Sequence, residues 1–550
     1  MAPSARSVGV TRFVAISVVL VAMCAGLLAL PVVAHATTYY VSMVGTDTAN
    51  GLLGHPVATV RNALSKATES GDVVCVGLGT FSGDMTMTVT GVSLRGAGAG
   101  LTTLRGDGLN SVIYVNHVGT GETISGFTIT GGNATGGGIN CDFSSPTITG
   151  NTITGNYSGW GGGICCGGGS PTITRNTIAN NHDSGIELAA SSAKVVGNVI
   201  TGNTWSGLHC QNDTSSSITG NLITGNSGFA GGICCSSSSL TIIGNTIAGN
   251  IASFGGGGIC CINGPSCSPT ITGNMITGNT SPSYGGGIYC AGSYSKPAIT
   301  NNVIAANRAS GNGGGIAFAA TGSVVSNNTI VDNVDGSGVG GGIYCASPGQ
   351  PVTNCIVWGN SSTVSGCSLT YSDRPGLIQV GSHNTSADPL FAAPESGDYH
   401  LTDGSPCRDV ATSTAAPATD RDGITRPWGA SFDMGAYEYY VPTYHTSTSL
   451  TAPKSVKVKK SLTLSGGVLP PPASPYAAPG KVTITMTRKV GKKWKGAGSA
   501  KISLVNGAFT YSFKPKYKGS WRFTASYSGG VIGPTAYLSS ASGVKGVTVK

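Results

Sequence analysis

The chain has 550 residues, of which 87 are glycine, 39% are apolar and only 10% are charged. Such glycine content suggests low complexity, but the apolar residues recur at fixed places, which excludes a disordered polar chain and leaves material for a core. The formal charge of +9 hides two opposite regions: residues 446–550 hold 17 of the 31 Lys and Arg and no Asp or Glu, so residues 1–445 hold 14 basic against 22 acidic residues, a formal −8.

Residues 1–36 read as an export signal. Arg6 and Arg12 precede an apolar run from Phe13 to Leu30, Pro31 ends it, and Ala34-His35-Ala36 supplies small residues for cleavage. A run of 18 residues also approaches bilayer-spanning length, so a retained anchor is the competing reading. The mature chain is expected to be secreted, either extracellular or held noncovalently at the cell surface, with no transmembrane anchor after cleavage. Residues 37–87 follow as an N-terminal cap, in which Ala58–Glu69 places Val60, Ala63, Leu64 and Ala67 on one side of a helix.

From there the chain repeats itself. Aligned on "GGI" and its variants, Ile139, Ile164, Ile186, Leu208, Ile233, Ile259, Ile288, Ile316 and Ile343 recur at spacings of 22 to 29 residues. The first Asn of "N-x-I-x-x-N" recurs in step, at Asn151, Asn176, Asn198, Asn221, Asn245, Asn274, Asn302 and Asn328. Within each unit, stretches such as Pro146–Thr149 and Asn151–Thr154 place Ile at every second residue with Thr between, the period of a half-buried strand. Three short strands per unit, separated by Gly and Asn turns, describe one coil of a parallel β-helix. About ten coils at ~4.8 Å each give a stack ~50 Å long over residues 88–370. Asn at the corners tolerates a left-handed backbone, and its stacked side chains can bond to the copies above and below.

Two residues after each registered position stand Cys141, Cys166, Leu188, Cys210, Cys235, Cys261, Cys290, Phe318 and Cys345. Alternation directs this column inward, where free Cys serves as a small hydrophobe. Cys165, Cys234 and Cys260 lie one residue earlier and are expected to face out. Cys234 and Cys260 occupy consecutive coils, close enough for a disulfide in an exported protein. The rival is a reactive or metal-binding thiol row extended by Glu187 and His209, but these mixed ligands lack a standard metal spacing.

These phrases resemble right-handed parallel β-helix proteins of the pectate-lyase-like superfamily. "YYVSMVGTDTANG" (Tyr39–Gly51), "ATVRNALSKATESGDVVCVGLGTF" (Ala58–Phe81) and "ISGFTITGG" (Ile124–Gly132) are similar to the family's N-terminal end, where the resemblance implies a helix closing the coil stack. "NCIVWGN" (Asn354–Asn360), "ADPLFAAPESGDYHLTDGSPCRD" (Ala387–Asp409) and "DRDGITRPWGASFDMGAYEY" (Asp420–Tyr439) resemble its closing segment, read here as residues 371–445. Cys407 departs from the commoner apolar version, with Cys355 or Cys367 as possible partners. The resemblance is specific for fold and weak for activity.

Residues 446–550 alternate differently: Val482, Ile484 and Met486; Phe509, Tyr511 and Phe513; Trp521, Phe523, Ala525 and Tyr527. Short alternating strands with turns between them suggest a basic β-sandwich similar to bacterial immunoglobulin-like modules. The Pro-rich "LPPPASPYAAPG" (Leu469–Gly480) is a loop within it.

Family members that cleave acidic polysaccharides or hydrolyse glycosides are built around carboxylates, yet residues 133–360 carry ten charged side chains and no transferable catalytic motif. The richest group is Asp183, Glu187, Trp205, His209 and Asp213, in two adjacent coils with short turns. Its carboxylates and His209 are the candidate catalytic residues, and Trp205 is a candidate sugar-stacking ring. Asp420, Asp422 and Asp433 form another acidic group, expected to bond to turns. No cofactor, metal or nucleotide signature is present, since the glycine runs recur once per coil and open no helix. Lys492, Lys493, Trp494 and Lys495 are the candidate contacts to an anionic envelope polymer rather than to a specific nucleic acid. The functional expectation is a noncatalytic adhesion or polysaccharide-binding protein of the cell surface. The alternative is a polysaccharide lyase or glycoside hydrolase.

Overall fold

The computed structural model describes residues 36–213, 215–262, 267–292, 295–319, 322–376, 382–441, 443–469, 478–532 and 535–550. Residues 1–35, nearly all of the expected export signal at 1–36, and most of the Pro-rich stretch lie outside the described residues. The chain divides into two compact units, Met1–Glu438 and Tyr439–Lys550.

The first unit is a stack of parallel coils, all β apart from one short helix and a 3-10 turn among the described residues. A representative coil runs through Ile139–Asp142, Thr147–Thr149 and Thr152–Thr154 before the next begins at Ile164–Gly167. Repetition builds three parallel sheets. Sheet I has 14 strands, from Thr38–Val41 to Cys367–Thr370; sheets II and III have 12 each, starting at Gly79–Ser82 and Met85–Met87. The twelve strands exceed the ten coils expected because the coils before Asn133 lack the Asn/Gly phrase. The register is the one the repeats imply, Ile139 to Ile164 to Ile186 to Leu208 and on to Ile343. Three strands per coil was an underestimate for the later coils. Where spacings lengthen, a fourth sheet of five two-residue strands appears, from Ser227–Gly228 to Val334–Asp335, because the extra turn residues pair with their counterparts.

The interior is a column of branched side chains, with Ile139, Ile164, Ile186, Leu208 and Ile233 all fully buried. Each such side chain contributes roughly 1.5–3 kcal/mol on leaving water. The inward cysteines pack among them as expected, Cys141, Cys166, Cys210, Cys235 and Cys261 being fully buried. The column's last member differs: Cys345 forms a disulfide with Cys367. Cys407 is thus paired with neither expected partner; its thiol donates to Asp373 Oδ2 at 3.2 Å.

Two asparagine ladders hold the corners. One runs from Asn151 through Asn176, Asn198 and Asn221 to Asn328; a second, parallel to it, runs from Asn156 through Asn181, Asn203 and Asn226 to Asn360. In each rung the amide donates to the next rung's Oδ1, and that oxygen also accepts the backbone N–H of the same donor residue. The left-handed corner itself falls on the residue before each ladder Asn, not on the Asn. Gly150 occupies it at φ 64° and Arg175 at 54°, so glycine is preferred there without being obligatory.

The N-terminal helix, α1, spans Val60–Lys66, shorter than the pattern implied, and Thr59 caps it by accepting the N–H of Asn62. Val60, Ala63 and Ala67 are buried in the same core as the first coils, so the helix covers the end of the interior. Residues 391–438 pack against the later coils: Asn301 Nδ2 donates to the Thr419 carbonyl, Asn327 Nδ2 to that of Asp433, and the buried Arg426 pairs with Glu438. Asp420 and Asp433 bond to backbone N–H groups as expected, whereas Asp422 accepts from His400.

The second unit carries mainly antiparallel pairings. Leu462–Leu469 pairs with Ala508–Phe513, and Lys481–Val490 pairs with both Lys493–Ser503 and Gly519–Tyr527. Leu462, Leu464, Val482, Ile484, Phe509, Trp521 and Phe523 meet in one core.

Candidate functional site

The outward face of sheet III carries the candidate chemistry. One column runs in register through Thr86, Tyr114, Asn140, Cys165, Glu187, His209, Cys234, Cys260, Tyr289, Ala317 and Tyr344. It points away from the core but is not uniformly wet. Cys165 is 6% exposed, Cys234 and Cys260 not at all, which corrects the expectation of solvent-facing thiols. The cause is the glycine turn before each strand, which folds back over the column. At Gly161, φ 68°, an added Cβ would lie 2.7 Å from that of Glu187, so only glycine fits.

The expected Cys234–Cys260 bridge is absent, although the two residues are register partners. Side chains of in-register parallel strands stand side by side ~4.8 Å apart, whereas a disulfide needs Cβ atoms ~3.5–4.5 Å apart. Cys234 instead hydrogen-bonds His209, and burial keeps its thiol above the ordinary range. Cys165 is pushed up likewise. Protonated thiols of this kind are poor nucleophiles. Among the described residues no three His, Cys, Asp or Glu side chains group as metal ligands.

Glu187 and His209 come together as the sequence suggested. His209 Nδ1 lies 3.0 Å from both carboxylate oxygens, with the hydrogen bond made to Oε2. Burial opposes the imidazolium, but hydrogen bonds to Cys234 and Glu187 outweigh it and raise the His209 pKa to about 10. Burial also raises that of Glu187, with His209 pulling the other way. Trp160, Asp183, Trp205 and Gly159 join the pair around one cleft of 300 Å³. Asp183 stands at φ 88° and accepts from the Ser184 N–H at 2.5 Å. Asp213 is not part of this group; it is buried and holds a turn by accepting the N–H groups of Ser215 and Ser216.

Sequence reasoning missed three features. Trp160 is the cleft's second tryptophan, 51% exposed against 43% for Trp205. Beyond Trp205 a row of rings continues along the coils: Phe229 at 5.7 Å, Phe254 a further 4.9 Å, both nearly parallel to their neighbours, then Tyr289, Tyr284 and Tyr344. The signal was available, since Trp160, Trp205, Phe229, Phe254 and Tyr284 each stand three to five residues before a registered Ile or Leu. Towards the N-terminal end the same face opens into a cleft of 840 Å³ that includes Arg61, Asp84, Asp107, Tyr114 and Asn140. There Arg61 donates to the Asp84 carbonyl at 2.6 Å and Tyr114 to Asp142 at 3.3 Å.

In the second unit Lys492, Lys493 and Lys495 are exposed around the turn between two long strands. The Trp494 ring is not free on both faces as a flat platform, because the guanidinium of Arg522 sits over it at 4.0 Å. Arg488 covers Tyr517 similarly, at 4.3 Å.

The family model described as "Right handed beta helix region" matches residues 82–247 and 231–385, together more than half of the chain. Pectate lyase Pel9A is similar at 12% identity and a TM-score of 0.36, covering 73% of this chain and 96% of that one. Full-length tailspike protein 2 from Escherichia coli O157:H7 bacteriophage CAB120 is similar at 12% identity and a TM-score of 0.34, covering 90% of this chain and 67% of that one. No curated protein matches significantly. No helix among the described residues is long and apolar enough to cross a membrane.

Proposed function

The chain belongs to the right-handed β-helix family, and from that premise we propose that it is an exported, noncatalytic polysaccharide-binding protein whose ligand lies along the outward face of sheet III. The observation that carries this reading is the cleft in which two half-exposed tryptophans flank two carboxylates and a histidine. Tryptophan offers a broad apolar face to a sugar ring, and neighbouring polar groups take up its hydroxyls. The polar cleft on one side and the ring row on the other extend the surface beyond a single sugar. An enzyme reading is less favoured. Glu187 is bonded to His209, and Asp183 accepts backbone N–H groups, so neither carboxylate stands free as an acid or nucleophile.

The second unit acts in this proposal as an immunoglobulin-like sandwich whose lysines attach the protein to anionic envelope polymers. A glycan array probed with the mature chain tests the main reading. Binding that falls at least about tenfold in both Trp160→Ala and Trp205→Ala supports it. Binding indifferent to both variants refutes it.

A further inference from the structure

We propose that the cleft is a slot for one pyranose ring carrying a primary amine, an amino-sugar unit of the glycan, and that it rejects uronic acids; this rests on the glycan-binding reading above. The slot exists because the ring row is interrupted. Trp205 has Phe229 stacked on one side, and no other ring among the described residues stacks on it. The next coil offers Asp183 in place of a ring, and its His182 is stacked instead on Tyr157, at 4.2 Å. Trp160 belongs to the coil beyond, so the strands of the two tryptophan coils are two steps apart. Two steps of ~4.8 Å give ~9.6 Å. A ring in van der Waals contact on both faces needs ~7–8 Å, so one sugar ring fits between the indoles and two do not.

The charge of the slot selects the ring. Glu187 is 1% exposed, and its buried Oε1 carries no hydrogen bond, although His209 Nδ1 lies 3.0 Å from it. Asp183 stands beside it, and one imidazolium balances only one of the two carboxylates. No Lys or Arg lines the cleft. An ammonium there finds the half-buried Asp183 carboxylate and two indole faces, which attract cations. A uronate brings a third carboxylate to the same place.

The test uses the full mature chain at about pH 6, where most sugar amines carry a proton and carboxylates are ionised. Tryptophan fluorescence and calorimetry are recorded with three probes: a β-linked glucosamine oligomer, its N-acetylated counterpart and an oligogalacturonate. The expected order is glucosamine first, the acetylated oligomer about two- to fivefold weaker, as an exposed cation–π contact allows, and no binding of oligogalacturonate. Asp183→Asn and Glu187→Gln, each checked for native circular dichroism, should bring the ratio of the first two towards one. If Glu187→Gln does not fold, Asp183→Asn decides. Acetylated or uronic oligomers binding as tightly as glucosamine overturn the amine slot and leave the glycan-binding reading standing. An amine preference that survives Trp160→Ala and Trp205→Ala places the site elsewhere and also overturns the slot. Failure of all three probes, together with a blank glycan array, overturns both.

Discussion

Replacing Asn226 with Ala removes one rung from the second asparagine ladder, and the cost follows from the bonds it breaks. The Asn226 amide donates to the carbonyls of Ile200 and Thr224 and to Asn250 Oδ1, at 3.0 to 3.2 Å. Its Oδ1 accepts from the backbone N–H and the side-chain amide of Asn203, at 3.0 and 2.9 Å. Some of these groups keep a partner: Asn203 Nδ2 retains Ile178 and Thr201, and Asn250 Oδ1 retains the Asn226 backbone N–H. The Asn203 backbone N–H does not, and Asn203 is fully buried. An unmade buried donor costs roughly 1–3 kcal/mol, and the other lost bonds add about 1 kcal/mol net, so the variant should lose about 3 kcal/mol. Coils in a solenoid are coupled mainly to their neighbours. The loss should therefore appear locally, as a roughly hundredfold faster amide exchange around residues 200–226. Asn226→Asp should be worse than Ala, since it turns a carboxylate oxygen towards three acceptors in a dry site. Asn133→Ala is the control; this side chain is exposed and donates only to the Gly108 carbonyl, so it should change stability by no more than about 0.5 kcal/mol. If Asn226→Ala exchanges like the wild type, or Asp replaces Asn without loss, the ladders are ornaments of the fold rather than its fastening.

Mass mapping of the unreduced chain should find one bridge among the described cysteines, Cys345–Cys367, with Cys234 and Cys260 alkylated only after unfolding; a Cys234–Cys260 bridge would contradict the side-by-side geometry argued above. His400 donates to Asp422 and Asp398, and the Asp422 bond raises its pKa against the opposing effect of burial. A raised folded-state pKa contributes stability in full below the unfolded value, ~6.5, and loses it as pH rises through the folded value. The urea midpoints of wild type and His400→Gln should therefore differ most below about pH 6 and converge in alkali; a gap constant with pH would refute the linkage. Retention of the mature chain on isolated envelopes should fall steeply from 0.1 M to 1 M salt, as the Debye length shrinks from ~10 Å to ~3 Å, and should weaken when Lys492, Lys493 and Lys495 are changed to Glu. Salt-independent retention excludes a mainly electrostatic attachment.

What the sequence revealed follows from what repetition can encode. A side chain recurring once per coil announces its neighbour, so the Ile and Cys columns and the first Asn ladder could be placed residue by residue. The same logic brought Glu187 opposite His209, because register alone puts them side by side. Depth was not legible in this way. Alternation gives the direction of Cys234 but not the glycine turn folded over it, so an outward thiol need not be an exposed one. The aromatic row escaped for a related reason. Its rings stand in turns of unequal length, where spacing drifts between three and five residues and strict periodicity fails. Nor could the sequence show that Arg522 and Arg488 lie over Trp494 and Tyr517. Arg522 and Trp494 stand on strands that flank Lys481–Val490 on either side, and Tyr517 lies in the loop before Gly519–Tyr527, an arrangement that no repeat announces.

The position of the cleft has a physical reason in coil length. The two shortest spacings, 22 residues each, separate Ile164 from Ile186 and Ile186 from Leu208. The fourth sheet begins only afterwards, at Ser227. In the longer coils that follow, Phe229, Ala230, Ile262 and Ala291 pack around the outward column, and Cys234 and Cys260 are sealed beneath them. In the short coils that cover is missing, and the His209 side chain stays 18% exposed next to a buried Glu187. A polar pair can persist there because one member reaches solvent and the other is bonded to it; under the fourth sheet the same pair would have to meet the cost of full burial. Cys234 and Cys260 lie where that cover is complete, and Glu187 and His209 lie where it is not. Regular repetition thus supplies the scaffold, and two shortened coils in it create the one stretch of this column where buried charge and exposed indole lie together.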